Sequence, residues 1–133
     1  MTALGVDVGL RKGLDLVLLD EHRRVVDLAP KLPHDRFRET VLRWAPDVVA
    51  IDSPPAWGST GRSRPAERAV RGLGMGIFST PSDPTVFEHP FYRWMTVGFA
   101  AFDAAAAAGY PYFRGAGGSA GHALEVYPHA TAL

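Results

Sequence analysis

Cysteine is absent from the 133 residues. That excludes disulfides and thiolate metal sites, and it makes a reducing, cytoplasmic setting the expectation. An excess of charge of one sign is missing too, since 14 basic residues face 14 acidic ones and the formal net charge is zero. No global basic field advertises nucleic-acid binding, so any such site has to be a local patch. No apolar run reaches the roughly 18 residues that a membrane span needs, and the alanine run near position 104 is too short. The first residues, Met1-Thr2-Ala3-Leu4-Gly5, lack the charged-then-apolar layout of a secretory signal. No membrane association is therefore expected. Lysine is scarce, with two against twelve arginines, a bias that points to genomic composition more than to partners.

Core-forming material is plentiful: 47% of the residues are hydrophobic and 11% aromatic, which argues against disorder. The length suits one domain over residues 1–133. Leu4 to Gly9 reads as a short apolar strand interrupted only by Asp7. The stretch Gly9-Leu10-Arg11-Lys12-Gly13 is a turn with glycine at both ends, and Leu14 to Leu19 is a second strand. A polar turn at 20–23 leads to a third, Arg24 to Ala29, so the three form an antiparallel meander. After Pro33, Asp35 is placed to cap a helix with Phe37, Val41, Leu42 and Trp44 on one face, and Pro46 ends it. Asp47 to Asp52 has the continuous apolar character of a strand buried on both faces. A strand–helix–strand unit predicts that this fourth strand runs parallel to the third or the first. Pro65 to Leu73 reads as a short helix and Phe91 to Ala108 as the longest one. Residues 72–90 and 115–121 read as loops, and His122 to Tyr127 as a fifth strand.

Asp7 and Asp52 are the residues of most chemical interest. An ionised carboxylate in an apolar strand is costly unless it is paired or bound to metal. Each alone has an ordinary explanation, a strand-end aspartate bonding turn amides. Together, at the same ends of adjacent parallel strands about 4.8 Å apart, they can share metal ions. Ligands in open α/β sheets also gather beyond the carboxyl ends of the strands. Glu125 is a third acid within an apolar strand, equally compatible with an exposed edge. Arg64 and Arg68 belong to a dense polar group with Arg62, Glu67 and Arg71, which reads either as a phosphate clamp or as a solvated helix face. His89 and His129, single histidines beside prolines, carry little weight. The Gly115–Gly121 loop lacks the Gly-Lys-Ser/Thr ending of a Walker loop.

The order β-β-β-α-β, with aspartates ending the first and fourth strands, resembles the ribonuclease H-like superfamily. More narrowly, Gly5-Val6-Asp7-Val8-Gly9, Ile51-Asp52-Ser53-Pro54, Arg64 through Arg68 with Leu73-Gly74, and Glu125-Val126-Tyr127-Pro128 are similar to one family. It is a family of predicted nucleases labelled a domain of unknown function (four-twenty-nine). The resemblance spans residues 5 to 128. It implies an α/β fold, a mixed five-stranded sheet in order 3-2-1-4-5 flanked by helices. It also implies a Mg²⁺- or Mn²⁺-dependent acidic centre of Asp7, Asp52 and Glu125, with nucleic acid as the partner and Arg64 or Arg68 holding a phosphate. Such families continue past the fifth strand into helices that carry a last metal-binding aspartate. A chain ending at Leu133 is then expected to lack those helices and that acid. One sheet face would be bare, favouring a homo-oligomer. Two other functions compete with the nuclease. Asp7-Val8-Gly9 also matches the opening Asp-x-Gly of the actin and sugar-kinase superfamily, implying an ATP-binding phosphotransferase, although no second phosphate loop is found. A domain short of one acid can instead be a non-catalytic interaction module.

Overall fold

A computed structural model describes residues 1–83 and 89–128. Along the chain lie β1 (Ala3–Val8), β2 (Leu14–Leu19), β3 (Val25–Leu32), α1 (Phe37–Trp44), β4 (Val48–Asp52), α2 (Pro65–Gly72), α3 (Arg93–Ala107) and β5 (Ala123–Glu125). The sheet has five strands in the order β3-β2-β1-β4-β5. β2 is antiparallel to both of its neighbours, while β4 is parallel to β1 and β5 to β4. This is the mixed α/β sheet that the family resemblance implies, and the choice left open for the fourth strand falls on β1.

Period-two alternation decides what each face of the sheet does. Leu4 and Val6 of β1, Leu14, Leu16 and Leu18 of β2, Val49 and Ile51 of β4 and Ala123 of β5 are all buried. They pack against Phe37 and Val41 of α1 and against Ala101, Phe102 and Ala105 of α3. The other face is open. Gly5 and Asp7 are exposed on it, and Val17, Leu19, Val48, Ala50, Asp52 and Leu124 are only half-buried. On β3, Val25 and Leu28 are 62% and 57% exposed. β4 is therefore not buried on both faces, as its apolar run predicts. Val49 and Ile51 face the helices, while Val48, Ala50 and Asp52 face away.

Other departures are local. Asp35 sits inside a 3-10 turn, His34–Arg36, instead of at a cap position. Leu42 points to solvent, because the helical period that turns Phe37 and Val41 inward turns it out. β3 runs on through Pro30 to Leu32, tolerated because it is an edge strand. β5 has three residues, not six. Its outer edge is met by residues 111–113, through Ala123 N–H to the Pro111 carbonyl and Phe113 N–H to the Ala123 carbonyl, both at 2.9 Å. Among the described residues no helix is long and apolar enough to cross a membrane.

Two glycines set how closely the elements approach. Gly13 enters β2 at φ +85°, and a Cβ there would lie 2.4 Å from the Leu32 carbonyl oxygen. Gly98 of α3 rests on Ser53 at the end of β4, where an added Cβ would come within 1.7 Å of Ser53 Oγ and 2.4 Å of Ser53 Cβ. That contact seats α3 on the strand end that carries Asp52. Gly98→Ala should destabilise the fold by about 1–3 kcal/mol through overpacking. This overrides the roughly 1 kcal/mol that alanine gains in helix propensity. Urea unfolding checks it: the midpoint should fall, and Ser53→Gly in the same chain should recover most of the loss.

Candidate functional site

Asp7 and Asp52 are direct partners in the parallel β1–β4 ladder. Parallel register sends both side chains to the same face, and that face is the open one. Asp7 is 59% exposed and Asp52 half-buried. On its other flank Asp7 lies opposite Asp15 of β2, so three aspartates run across β2, β1 and β4. Lys12, carried back by the 9–13 turn, places Nζ 3.8 Å from Asp7 Oδ2 and 3.5 Å from Asp15 Oδ2. Exposed ion pairs of this kind stabilise little, but a cation here offsets repulsion between neighbouring carboxylates. The turn is pinned by His34, whose Nε2 lies 2.9 Å from the Gly9 carbonyl oxygen. Asp15 is already engaged: the Lys31 N–H donates to it at 2.8 Å and, against some desolvation, holds its carboxyl below the usual range.

A cleft of about 380 Å³ opens beside the pair, and Phe78, Trp94 and Tyr127 line it together with Asp7 and Asp52. Phe78 meets Trp94 edge to face at 5.1 Å between centroids and Tyr127 at 6.3 Å. The Tyr127 hydroxyl donates to the Gly76 carbonyl, tying the residues after β5 to the loop that bears Phe78.

Glu125 is not brought to this cleft. It pairs with Ile51, one residue short of Asp52, so alternation turns it to the helix-covered face. There Arg64 grips it with a two-pronged ion pair, Nη1 to Oε2 at 2.8 Å and Nη2 to Oε1 at 2.5 Å. The same guanidinium lies 3.3 Å from Glu67 Oε2 through both Nε and Nη2. Arg68, for its part, donates to the Ser63 carbonyl at 2.6 Å. Arg64 is thus engaged by two carboxylates, while Arg68 remains exposed with one bond to the backbone. Glu67 belongs to no solvated helix face, being only 1% exposed. At the third position of α2 it accepts the Arg64 N–H at 2.8 Å, as in a capping box, and also the Thr80 N–H at 2.8 Å and Thr80 hydroxyl at 2.7 Å. Burial pushes its carboxyl up, but these hydrogen bonds and the Arg64 charge outweigh burial and leave it below its ordinary value. A second cavity of about 440 Å³ sits beside this network, walled by Val70, Ile77, Tyr112 and Leu124. His89 caps a 3-10 turn by accepting the Phe91 N–H at 3.1 Å, and His129 lies outside the described residues.

Two carboxylates on adjacent strands of an open face suit a hard divalent ion that keeps several waters, as Mg²⁺ commonly does. Among the described residues no three His, Cys, Asp or Glu side chains are grouped to share an ion. The register thus brings Asp7 and Asp52 together on the open face and sets Glu125 on the other. The aromatic wall and the buried Glu67 are what the sequence reading missed. Glu67 sits three residues after the α2 cap, the one local signal that could have marked it.

The sign of the Glu67 shift fixes a pH dependence. A carboxyl depressed in the fold adds stability above its unfolded pKa and loses it as pH falls through the folded value. Urea unfolding at a series of pH values should show that acid loss in the parent and a flatter acid limb in Glu67→Gln. At neutral pH this variant should also lose about 3–5 kcal/mol, the usual cost of breaking a buried ion pair.

Similarity to known proteins adds the following. Among curated proteins none matches the chain. A solved structure described as "Thermus thermophilus RuvC structure" aligns over 84% of this chain at 20% identity, with a TM-score of 0.41. The chain spans 63% of the length of that one. The sheet order is the one that the family resemblance implies, and a family model matches residues 5–133: the chain belongs to the family described as "Protein of unknown function (DUF429)".

Proposed function

We propose that the protein is a metal-dependent phosphodiester hydrolase acting on nucleic acid, with Asp7 and Asp52 as the ligands of a Mg²⁺ or Mn²⁺ ion. The observation that carries this reading is the β1–β4 register, which sets the two aspartates opposite each other on the open face at the carboxyl ends of their strands. Held there, a divalent ion supplies Lewis acidity and a water of lowered pKa. The chain's own part is to present two fixed oxygen donors beside a cleft wide enough for a phosphodiester. Lys12, on the flank of Asp7, neutralises carboxylate charge on that side. Arg64 acts in this reading as a positioning residue: it ties β5, which leads to Tyr127, through Glu125 to the start of α2, which leads to Phe78, through Glu67.

Asp7→Asn and Asp52→Asn should each lower Mn²⁺-dependent cleavage of oligonucleotides by about a hundredfold or more, since each removes a ligand from a centre that supplies several kcal/mol to the barrier. Mn²⁺ binding, followed by electron paramagnetic resonance, should weaken in parallel. Glu125→Gln should keep its Mn²⁺ affinity and lose thermal stability. Full cleavage by Asp7→Asn would sink the assignment, and loss of Mn²⁺ by Glu125→Gln would restore the three-acid centre.

The exposed apolar residues at the β3 edge of the open face, Val25 and Leu28, give the same reading an expectation for assembly, pairing of two copies that leaves the aspartates accessible. Light scattering after size exclusion should then return about twice the 14.4 kDa of one chain. A mass of one chain at high protein concentration would remove the pairing and leave the hydrolase reading intact.

A further inference from the structure

Five aromatic rings form a continuous strip leading away from the carboxylate pair. Tyr127 meets Phe78 at 6.3 Å, Phe78 meets Trp94 at 5.1 Å, Trp94 meets Phe91 at 6.2 Å, and Phe91 meets Tyr92 at 5.4 Å. They come from three separate stretches of chain: the loop after α2, the 3-10 turn Pro90–Tyr92 with the first turn of α3, and the residues after β5. None belongs to the core, whose buried rings are Phe37 and Phe102. Phe91 is 48% exposed and the other four are half-buried. The first three line the cleft that holds Asp7 and Asp52. Fold stability does not require so much aromatic surface to be left partly in contact with water, and contiguous apolar surface of this kind marks a binding surface.

The charge distribution narrows what binds there. The chain carries no net charge, and the mouth of the cleft carries two carboxylates. Counter-ion release, the usual source of affinity for a phosphate backbone, has little to work with. Arg93, exposed between Tyr92 and Trp94, and Arg71, whose guanidinium donates to the Phe78 carbonyl at 3.4 Å, offer isolated cations to a phosphate alongside the strip. Aromatic faces offer something else, a stacking platform that any base can use. Bases inside a duplex keep their faces stacked on one another, so only unpaired bases can use such a platform.

We propose that Tyr127, Phe78, Trp94 and Phe91 form a stacking strip for unpaired bases, so that the nucleic acid delivered to Asp7 and Asp52 is single-stranded. The substrate assignment rests on the hydrolase reading; the binding surface does not. Anisotropy of labelled oligothymidylate, measured with chelator present so that no divalent ion takes part, tests the strip separately from catalysis. The parent protein should bind oligothymidylate, with little loss on adding salt. It should bind the matching duplex and an abasic backbone of equal length at least tenfold more weakly. Trp94→Leu and Phe91→Leu should each weaken binding by about tenfold, the scale of one lost stacking contact. Phe91 is the more exposed ring, so its variant gives the answer even if Trp94→Leu unfolds. Equal affinity for the abasic backbone, or unchanged affinity in folded Phe91→Leu, would overturn the strip. Oligothymidylate binding without any Mn²⁺-dependent cleavage upholds the strip and removes only the hydrolase. Cleavage that prefers duplex removes the strip and leaves the hydrolase standing.

Discussion

The parallel pairing of β1 with β4 is the constraint on which the rest of this molecule depends. β1 is bordered on one side by a hairpin partner and on the other by a strand reached through α1. With Leu4 opposite Val49 and Val6 opposite Ile51, both strands turn their large aliphatic side chains to the same face, and α1 and α3 close over it. The same register leaves Asp7 and Asp52 side by side on the opposite face. A slip of one residue would set Asp7 against Ile51 and drive a carboxylate or a buried isoleucine to the wrong side. Hydrophobic burial and the position of the acids are one choice, because the side-chain period is two and cannot be satisfied for one set of residues without the other.

The two faces then carry different kinds of charge. On the covered side, Arg64, Glu67 and Glu125 form a network removed from water, and its cost is met by dense hydrogen bonding: Glu67 alone accepts from Arg64 and from both the N–H and the hydroxyl of Thr80. Breaking such a group leaves an uncompensated buried charge, so it behaves as a lock between α2, the 79–81 segment and β5. On the open side Asp7 remains wet, with Lys12 beside it, and Asp52 is half-buried. An acid proposed to bind and release a cation is better placed there than inside a satisfied network. This distinction separates Asp7 and Asp52 from Glu125 more firmly than distance along the sheet does.

Much of the architecture is legible in the sequence. The β-β-β-α-β order, the short glycine-bounded turn at 9–13 and the aspartates at two strand ends follow from periodicity and turn chemistry. The sheet order, by contrast, is what the family resemblance implies, since the pattern alone leaves the fourth strand beside the third or the first. What is illegible depends on parity and on partners distant in sequence. Glu125 lies in a strand of three residues, where one step of register decides which face it takes, and no local pattern fixes that step. Glu67 looks like one charge among several on a short helix until the loop brings Thr80 to it from thirteen residues away. β4 reads as buried on both sides because Val48 and Ala50 are apolar, yet both helices packed on the core lie on one face. Phe78, Trp94 and Tyr127 are scattered over fifty residues, and only the folded chain sets them beside the aspartates.

The acids and the aromatic strip bear on one another. A cleft lined by two aspartates repels a phosphate chain at long range, and a protein of zero net charge has no surrounding field to reverse that. Approach must then be governed by short-range contacts, which act only when bases touch the rings. The repulsion is relieved locally, at the pair itself, once a divalent cation neutralises it. In the proposed reading, affinity and charge compensation are divided between separate parts of one cleft, the rings taking the bases and the aspartates an ion. Such a division favours substrates whose bases and backbone are accessible at the same time, and a single strand meets that requirement where a stacked duplex does not.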